Sequence, residues 1–288
     1  MNFASIPNSY ARLETAKIVI LPVPYDRTST WMKGADKGPQ SIIDASGFLE
    51  LYDIETDSEV YRQGIHISKA VTEDATPEAM VDAVYQVVSD YIAQEKFVVA
   101  LGGEHSVSIG AIKAHCEKFT DLTILQLDAH ADLRNEYKGS GYNHACVMAR
   151  VLEYGFPIVQ VGIRSMDVSE KSLLIPERTF FAKDIVLVSG WQEKLLPLLS
   201  SNVYVTLDLD VFDPAFMPST GTPEPGGLDW WNVMKLLRLV VQQRNLVGFD
   251  VVELCPDHQN KAPDFLAAKL IYKVLSHKFG IEKQPSSF

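Results

Sequence analysis

Cysteine is scarce in this sequence. The 288 residues include only three, Cys116, Cys146 and Cys255, and they are widely spaced. An odd number without a Cys-x-x-Cys pair argues against a disulfide framework and against a structural zinc site. The pattern fits a reducing compartment, so we expect a cytoplasmic protein.

Long apolar runs and a surplus of basic residues are also missing. No stretch approaches the roughly 18 apolar residues that a membrane-spanning helix needs, and residues 1–10 lack the features of a signal peptide. The formal net charge is -11, whereas nucleic-acid binding needs a basic face for phosphates. We therefore expect neither a membrane nor nucleic acid as a partner, and the acidic charge is compatible with a cationic small substrate.

Short apolar runs rich in β-branched residues predict strands that are buried on both faces. These runs are 18–21, 97–101, 122–127, 158–163, 203–207 and 246–252. Apolar residues at helical spacing follow Thr76 and Asp229, which we predict as N-caps, and Asp264 is predicted to cap a helix over 265–279. Alternating strands and helices without a repeat or linker predict one α/β domain over 1–288, with helices on both sides of a mostly parallel sheet.

Polar clusters stand where three of these runs end, which is where open α/β sheets place their sites. The first cluster, residues 128–132, reads Asp-Ala-His-Ala-Asp, and an extended chain would turn its three polar side chains to one side. The second is the pair Asp208 and Asp210. The third, residues 102–106, reads Gly-Gly-Glu-His-Ser, in which the glycines permit a tight turn.

Together the clusters offer two histidines and four aspartates: His105, Asp128, His130, Asp132, Asp208 and Asp210. Oxygen ligands with some imidazole suit Mn²⁺ or a similar first-row ion better than Ca²⁺. Carboxylates on one face repel each other, and bound dications remove that cost. Each cluster alone could be a surface turn, a helix cap or a glycine turn. All three after buried strands predict a site for two divalent cations.

The same clusters resemble the three metal signatures of the arginase and agmatinase family, the ureohydrolases. The second cluster extends over 206–214, and the run Gly-Thr-Pro-Glu-Pro-Gly-Gly at 221–227 follows at the expected place. Residues 23–26 and 34–40 are similar to the family as well. The match follows the chain in order over nearly its whole length. It implies a three-layer α/β/α sandwich around the sheet, two Mn²⁺ per chain, and assembly as a homotrimer or homohexamer.

The resemblance also implies which cation each ligand holds. One cation would be held by His105, Asp128, Asp132 and Asp208. The other would be held by His130, Asp128, Asp208 and Asp210, so that Asp128 and Asp208 bridge the two. The family commonly has serine at position 206, where this chain has threonine, which keeps the hydroxyl.

Three residues would act on the substrate if the resemblance holds. Glu253 matches the carboxylate that pairs with the guanidinium, a planar cation with paired N–H groups. Without the resemblance, an ordinary ion pair at a strand end would be the better interpretation of Glu253. Asp132 would pass a proton to the leaving amine. His144 matches a loop histidine that shuttles protons, although Ala145 follows it where many relatives have glycine.

The substrate is expected to be agmatine, giving putrescine, or aminopropylagmatine, giving spermidine, in polyamine biosynthesis. Residues 103–106 and 162–165 are most similar to the agmatinase branch, and Arg134 stands where arginases typically carry asparagine. Asp167 and Glu170 could receive the amine of such a substrate.

Arg134 leaves a second interpretation of the substrate open. If its guanidinium points into the site, a carboxylate tail such as that of guanidinobutyrate becomes attractive. If Glu136 neutralises it, or if it points away, a cationic tail remains favourable. A guanidinobutyrase or an arginase is therefore the alternative within the family.

Two further alternatives belong to other classes. A metal-stabilised regulatory or assembly protein could use the same scaffold, but such relatives usually lose some of the ligands. A deacetylase has a related fold and uses a single zinc with a different pair of histidines. The paired aspartates and the run at 128–132 favour two metals over one.

Overall fold

The computed structural model describes residues 2–280, which contain eight strands and eight α-helices. The strands are β1 Ile18–Val23, β2 Ile65–Ile67, β3 Phe97–Gly102, β4 Leu122–Leu127, β5 Ile158–Ile163, β6 Thr179–Phe181, β7 Asn202–Asp208 and β8 Asn245–Val252. The helices are α1 Gly38–Ser46, α2 Pro77–Ala93, α3 Ser108–Lys118, α4 Val147–Glu153, α5 Ala182–Leu187, α6 Trp191–Leu195, α7 Trp230–Gln243 and α8 Ala262–Phe279.

The eight strands form one sheet in the order β2-β1-β3-β8-β7-β4-β5-β6, and every neighbouring pair is parallel. The predicted parallel sheet is confirmed. The register places Leu127 of β4 opposite Leu207 of β7, and Asp208 opposite Val252 of β8. Central strands therefore end side by side at the same edge of the sheet.

Helices cover both faces of the sheet, because successive strand residues point into different cores. In β3, Val99 and Leu101 lie in a core shared with α1, α7 and α8. Val98 lies in a second core, shared with α2, α3 and α4. The predicted three-layer α/β/α sandwich is confirmed, and burial on both faces explains why the strands read as continuous apolar runs.

Two predicted helix starts are confirmed, and one is wrong. The Thr76 side chain caps α2, and the Asp229 side chain caps α7 by accepting from the Asn232 N–H at 2.7 Å. The helix predicted to start after Asp264 begins at Ala262 instead, because Pro263 suits the first turn of a helix. Asp264 lies inside that first turn. None of the helices in residues 2–280 is long and apolar enough to cross a membrane.

A buried ion pair ties α8 to the segment that follows α1. Lys273 is 4% exposed, and its Nζ atom lies 2.9 Å from Asp53 Oδ2 and 2.7 Å from Glu55 Oε1. Replacing Lys273 by methionine keeps most of the volume but leaves Asp53 buried without a countercharge. We expect the free energy of unfolding in urea to fall by about 3–5 kcal/mol.

The control for Lys273→Met is the double variant that also carries Asp53→Asn, which removes the uncompensated charge. We expect it to recover a large part of the loss, because the cost comes from the stranded carboxylate. If the free energy of unfolding of Lys273→Met lies within about 1 kcal/mol of the parent value, the ion pair contributes little to stability.

Candidate metal centre

The carboxyl ends of β3, β8, β7 and β4 are neighbours in the middle of the sheet, and the predicted ligands lie at three of them. His105 follows β3, Asp128 follows β4, and Asp208 is the last residue of β7. Since parallel strands end at the same edge, segments that are far apart in the sequence meet there. The sheet order therefore explains why the polar clusters converge.

The turn after β3 requires glycine at position 103. A Cβ atom on Gly103 would overlap the carbonyl oxygen of Tyr25. The Gly103 carbonyl accepts from the Glu253 N–H at 2.7 Å, and the Glu104 N–H donates to the Tyr25 carbonyl at 2.8 Å. These hydrogen bonds join the segments that follow β1, β3 and β8. They require the backbone at residue 103 to approach Tyr25 so closely that only glycine fits.

His105 lies at the centre of the first group of potential ligands. Its Nδ1 atom is 3.2 Å from Asp128 Oδ2, 2.9 Å from Asp132 Oδ2 and 3.5 Å from Asp208 Oδ2. All four side chains are buried. One imidazole nitrogen therefore faces three carboxylates at distances that suit atoms around a shared cation.

His130 belongs to a second group, and Asp128 is common to both. The His130 Nδ1 atom lies 2.9 Å from Asp210 Oδ2 and 3.6 Å from Asp128 Oδ1. Asp210 is held beside Asp208 because its N–H donates to Asp208 Oδ1 at 2.8 Å. The structure thus brings all six predicted ligands to one place.

The path of residues 128–132 differs from the predicted extended run. Strand β4 ends at Leu127, and Asp132 adopts a left-handed backbone with φ of 53°. The Asp132 carbonyl accepts from the N–H of Met148 and of Ala149, at 2.9 and 3.2 Å. This turn, which α4 holds by those two hydrogen bonds, brings Asp132 to His105. Alternation of side chains along a strand does not.

The electrostatics of the six side chains favour bound cations. Burial raises the pKa of Asp208 well above its usual range, and the charges of Asp210 and Asp128 raise it further. Burial lowers the pKa of His130, but the charges and hydrogen bonds of Asp210 and Asp128 outweigh it and raise the value to about 12. Without a cation, the group can be stable only with extra protons. Positive charge at the centre would remove that requirement.

The environment of His105 also fits a metal. Its buried Nδ1 atom has no hydrogen-bond partner within residues 2–280, although carboxylates surround it. On the other side of the ring, Nε2 lies 2.9 Å from Thr206 Oγ1. The Thr206 hydroxyl donates to Asp250 at 2.8 Å, so it accepts the Nε2 proton. Nε2 therefore carries a proton, and Nδ1 is the nitrogen that would bind a metal.

Arg164 holds the loop that carries Asp210. Its Nη2 atom donates to the main-chain carbonyls of Asp210 at 2.6 Å and of Glu224 at 2.8 Å. The sequence marked residues 162–165 only by resemblance. The structure shows that this arginine joins the loop after β7 to the run at 221–227.

A cavity of about 290 Å³ opens over the ligands. Glu253 and His144 line it, as do the ligands His105, His130, Asp132, Asp208 and Asp210. The lining residues that are exposed or half-buried mark its mouth, and they include Trp31, Met32, Arg134, Tyr137 and Asp167. Tyr137 was missed by the sequence analysis, because no local pattern places a loop aromatic beside residues 128–132.

Glu253 has a constrained position in this cavity. It adopts a left-handed backbone with φ of 68°, which is uncommon for a residue with a side chain, and its Oε1 atom accepts from the His105 N–H at 2.8 Å. Burial raises the pKa of Glu253 well above its usual range, and the charge of Glu104 adds to the rise. A cationic ligand would stabilise this carboxylate in its charged form.

His144 lies on a short 3-10 turn, His144–Cys146, that Asn143 caps by accepting from the Ala145 N–H at 3.0 Å. Burial lowers the pKa of His144 to about 4, and the charges of His105 and His130 lower it as well. Its Nδ1 atom lies 3.2 Å from the hydroxyl oxygen of Thr28, a contact that sequence reasoning missed.

At the mouth, Arg134 is paired with Asp167. Its Nη2 atom lies 3.5 Å from Asp167 Oδ2, and its guanidinium stacks over the Tyr137 ring at 4.6 Å. Glu136, the partner considered from the sequence, is exposed. The observed partner is Asp167, so this carboxylate carries the negative charge nearest to Arg134.

Asp167 and Glu170 were predicted together, but they differ in their contacts. Both oxygens of Glu170 accept main-chain hydrogen bonds, from the N–H of Leu133 at 2.8 Å and from the N–H of Asp167. Glu170 is buried and holds two loops together. Asp167 caps the 3-10 helix Val168–Ser172 with one oxygen, and its other oxygen faces Arg134.

Known proteins resemble this chain over most of its length. The model of the arginase family matches residues 16–276. An N(1)-aminopropylagmatine ureohydrolase of Synechocystis sp. is 35% identical over 96% of this chain and 95% of its own. One of Thermus thermophilus is 38% identical over 92% and 91%. The crystal structure of agmatine ureohydrolase of Thermoplasma volcanium matches with a TM-score of 0.86 and 31% identity, over 97% of this chain and 96% of that one.

Proposed function

The chain belongs to the arginase family, and on that premise we propose that it uses two Mn²⁺ to release urea from aminopropylagmatine or agmatine in polyamine biosynthesis. The predicted similarity to the agmatinase branch is confirmed, and the chain is a ureohydrolase, a hydrolase of guanidino compounds. The observation that carries the finer proposal is the pair of ligand groups that share Asp128 next to Glu253 in one cavity.

We assign the cations to the two groups of side chains around Asp128. The first set is His105, Asp128, Asp132 and Asp208, and the second is His130, Asp128, Asp208 and Asp210. Carboxylate oxygens with imidazole nitrogens suit Mn²⁺ among the available ions. Such a pair of cations lowers the pKa of water and supplies a nucleophile at neutral pH.

The other side chains bind the substrate and move protons. Glu253 would pair with the guanidinium, since its carboxylate is buried, lines the cavity and is fixed by the His105 N–H. Asp132 would hand a proton to the leaving amine, because it lines the cavity and its Oδ2 atom lies 2.9 Å from His105 Nδ1. His144 would exchange that proton with solvent from the side of the cavity, where it is neutral at pH 7.

The tail of the substrate would meet Asp167. Aminopropylagmatine carries amines beyond its guanidinium, and Asp167 is an acidic residue of the mouth that is only part-buried, as is its countercharge, Arg134. Glu170 is less suited, because both of its oxygens already accept main-chain hydrogen bonds. The names of the relatives favour aminopropylagmatine and agmatine over guanidinobutyrate and arginine.

A substrate panel with Mn²⁺ tests the proposed function. We expect urea from aminopropylagmatine and agmatine, and much less from arginine and guanidinobutyrate.

Asp167→Asn should raise the KM for aminopropylagmatine roughly tenfold, the cost of about one ion pair, at unchanged metal content. Arg134→Ala should spare this substrate. If guanidinobutyrate is the fastest substrate and Arg134→Ala slows its turnover, the substrate tail is a carboxylate that binds Arg134, and the assignment to Asp167 is wrong. The absence of urea from all four would favour a non-enzymatic protein.

We propose that residues 1–288 form a single domain and that the chain assembles as a homotrimer or homohexamer. One sheet takes strands from both ends of the described chain, which supports a single domain. Several large apolar side chains are 80–82% exposed, which supports burial in an assembly: Phe48, Ile54, Val168 and Leu187. We expect light scattering to give three or six times the 32.1 kDa of one chain. A monomer at micromolar concentration would contradict this assembly.

We also propose a cytoplasmic location. The support is chemical, since Cys116, Cys146 and Cys255 are all free thiols and all buried. A chain without disulfides needs no oxidising compartment to fold.

A further inference from the structure

Two glutamines lie side by side in the sheet, on neighbouring strands that are otherwise mostly apolar. Gln126 of β4 is opposite Gln160 of β5 in the strand register, and the two residues are 0% and 4% exposed. Buried amides need hydrogen-bond partners, because an unpaired amide costs free energy. Gln126 stands two residues before Asp128, so the partners of this pair bear on the metal centre.

The hydrogen bonds of the two amides can run in one direction only. Gln160 Nε2 donates to the main-chain carbonyl of Ala131 at 2.9 Å and to Gln126 Oε1 at 2.7 Å. Gln126 Nε2 donates to the main-chain carbonyl of His130 at 3.2 Å and to Asp128 Oδ2 at 2.7 Å. A main-chain carbonyl can only accept, so either amide, if turned over, would point its oxygen at another oxygen. Both hydrogens of each NH2 group are therefore used.

The chain of bonds ends on the carboxylate of Asp128, which both ligand groups share. Its Oδ2 atom accepts from Gln126 and lies 3.2 Å from His105 Nδ1. Its Oδ1 atom accepts from the His130 N–H at 2.6 Å and lies 3.6 Å from His130 Nδ1. The torsion that turns a carboxylate is soft, so these hydrogen bonds set its orientation. One oxygen thus faces each group of ligands.

We infer that Gln126 is a positioning residue that holds Asp128 with one oxygen toward each of two cations, and that Gln160 acts through Gln126 by fixing the direction of its amide. Partners of this kind orient metal ligands, and a glutamine does so without adding charge to the site. The part of the inference that concerns cations rests on the proposed function. The direction of the amide bonds and their hold on Asp128 do not.

Titration of the metal-free protein with Mn²⁺, followed by the electron paramagnetic resonance signal of the free ion, tests the effect on cation binding. Gln126→Met keeps a side chain of similar length without a donor, and it should weaken Mn²⁺ binding roughly 10- to 100-fold. Gln160→Met should weaken it roughly three- to tenfold, the range of one neutral hydrogen bond. In a Gln126→Met background, Gln160→Met should cost less than about twofold further.

Two results of the titration would overturn the inference. One is a Kd for Mn²⁺ in Gln126→Met within about threefold of the wild-type value. The other is an equal loss from Gln160→Met in both backgrounds, which would show that Gln160 does not act through Gln126. Gln160 bonds to no ligand side chain, so Gln160→Met tests the chain of bonds even if Gln126→Met is too unstable to purify.

Hydrogen exchange of the side-chain amides, measured by nuclear magnetic resonance on the metal-free protein, tests the bonds without a cation. The signal of each glutamine is the one lost in its methionine variant. We expect the Gln126 amide to exchange slowly in the wild type, and to exchange faster in Gln160→Met and in Asp128→Ala, which each remove one of its partners. A Gln126 amide that exchanges as fast as an exposed one, or that neither variant changes, would contradict the inference.

A matched control separates these effects from the general loss of a buried amide. Gln192 is buried in α6 and does not line the cavity. Gln192→Met should leave the Kd for Mn²⁺ and the exchange of the Gln126 amide unchanged, whatever it does to the melting temperature. If the wild type binds no Mn²⁺, the proposed function fails, while the amide exchange still decides whether the two glutamines hold Asp128.

Discussion

Replacing Asp128 by asparagine is expected to lower kcat/KM for urea release by roughly a thousandfold or more, about 4 kcal/mol of transition-state stabilisation. Asp128 is the side chain shared by both ligand groups, so this change removes one charge from both positions at once. Asparagine keeps the volume and can still accept the His130 N–H, a bond of 2.6 Å in the parent chain. Urea release and bound manganese, measured on the same sample, check the prediction.

Thermal unfolding separates lost metal binding from lost folding. Mn²⁺ at a hundred times its Kd should stabilise the parent chain by about 2.7 kcal/mol, and it should stabilise Asp128→Asn far less. Without metal, the variant should be less stable than the parent. Burial raises the pKa of Asp128, but the hydrogen bonds and charges of His105 and His130 outweigh it and lower that pKa, so the charged carboxylate stabilises the fold. Asp184→Asn is the control, since Asp184 is an exposed helix residue. Two tightly held manganese ions and nearly full activity in Asp128→Asn would contradict the shared site.

Replacing Glu253 by glutamine is expected to reduce kcat/KM by roughly a hundredfold or more, because the guanidinium loses its countercharge in a buried cavity. The amide oxygen of glutamine can still accept from the His105 N–H, as Glu253 Oε1 does at 2.8 Å. The left-handed backbone of residue 253 should therefore persist, and metal content should not change.

The pattern across substrates distinguishes Glu253 from residues at the mouth. Every substrate of this family shares the guanidinium or a similar amidine, so Glu253→Gln should affect all of them by a similar factor. Asp167→Asn should affect only substrates that have a cationic tail. If Glu253→Gln lowers kcat/KM only for substrates with one kind of tail, the Glu253 carboxylate binds that tail and not the guanidinium.

The core of the fold could be predicted because buried parallel strands read as continuous apolar runs. Strands β4 and β5 match the predicted ranges 122–127 and 158–163 to the residue. The two edge strands, β2 and β6, were missed because each has only three residues, too few to form a pattern. The start of α8 was missed because an aspartate that suits a cap lies within the first turn, after a proline that begins the helix earlier.

The site was predictable to the extent that its residues follow strand ends or match the family signatures. Five of the six proposed ligands line one cavity with Glu253 and His144, and the sixth, Asp128, is fully buried beside His105. The roles of these residues stay predictions. The contacts of Thr28 with His144 and of Arg164 with the loop of Asp210 join segments that are distant in sequence. No local spacing encodes such contacts, so they could not be read from the chain alone.

The order of the strands has a consequence for how the chain is made. During synthesis the run at 128–132 emerges well before Asp208, and Glu253 emerges last, yet β8 and β7 lie between β3 and β4 in the sheet. A growing chain therefore cannot bring the six proposed ligands together until its final third has been inserted between strands already made. Early fragments would hold manganese only weakly, and cation uptake would mark the moment at which the middle of the sheet is complete.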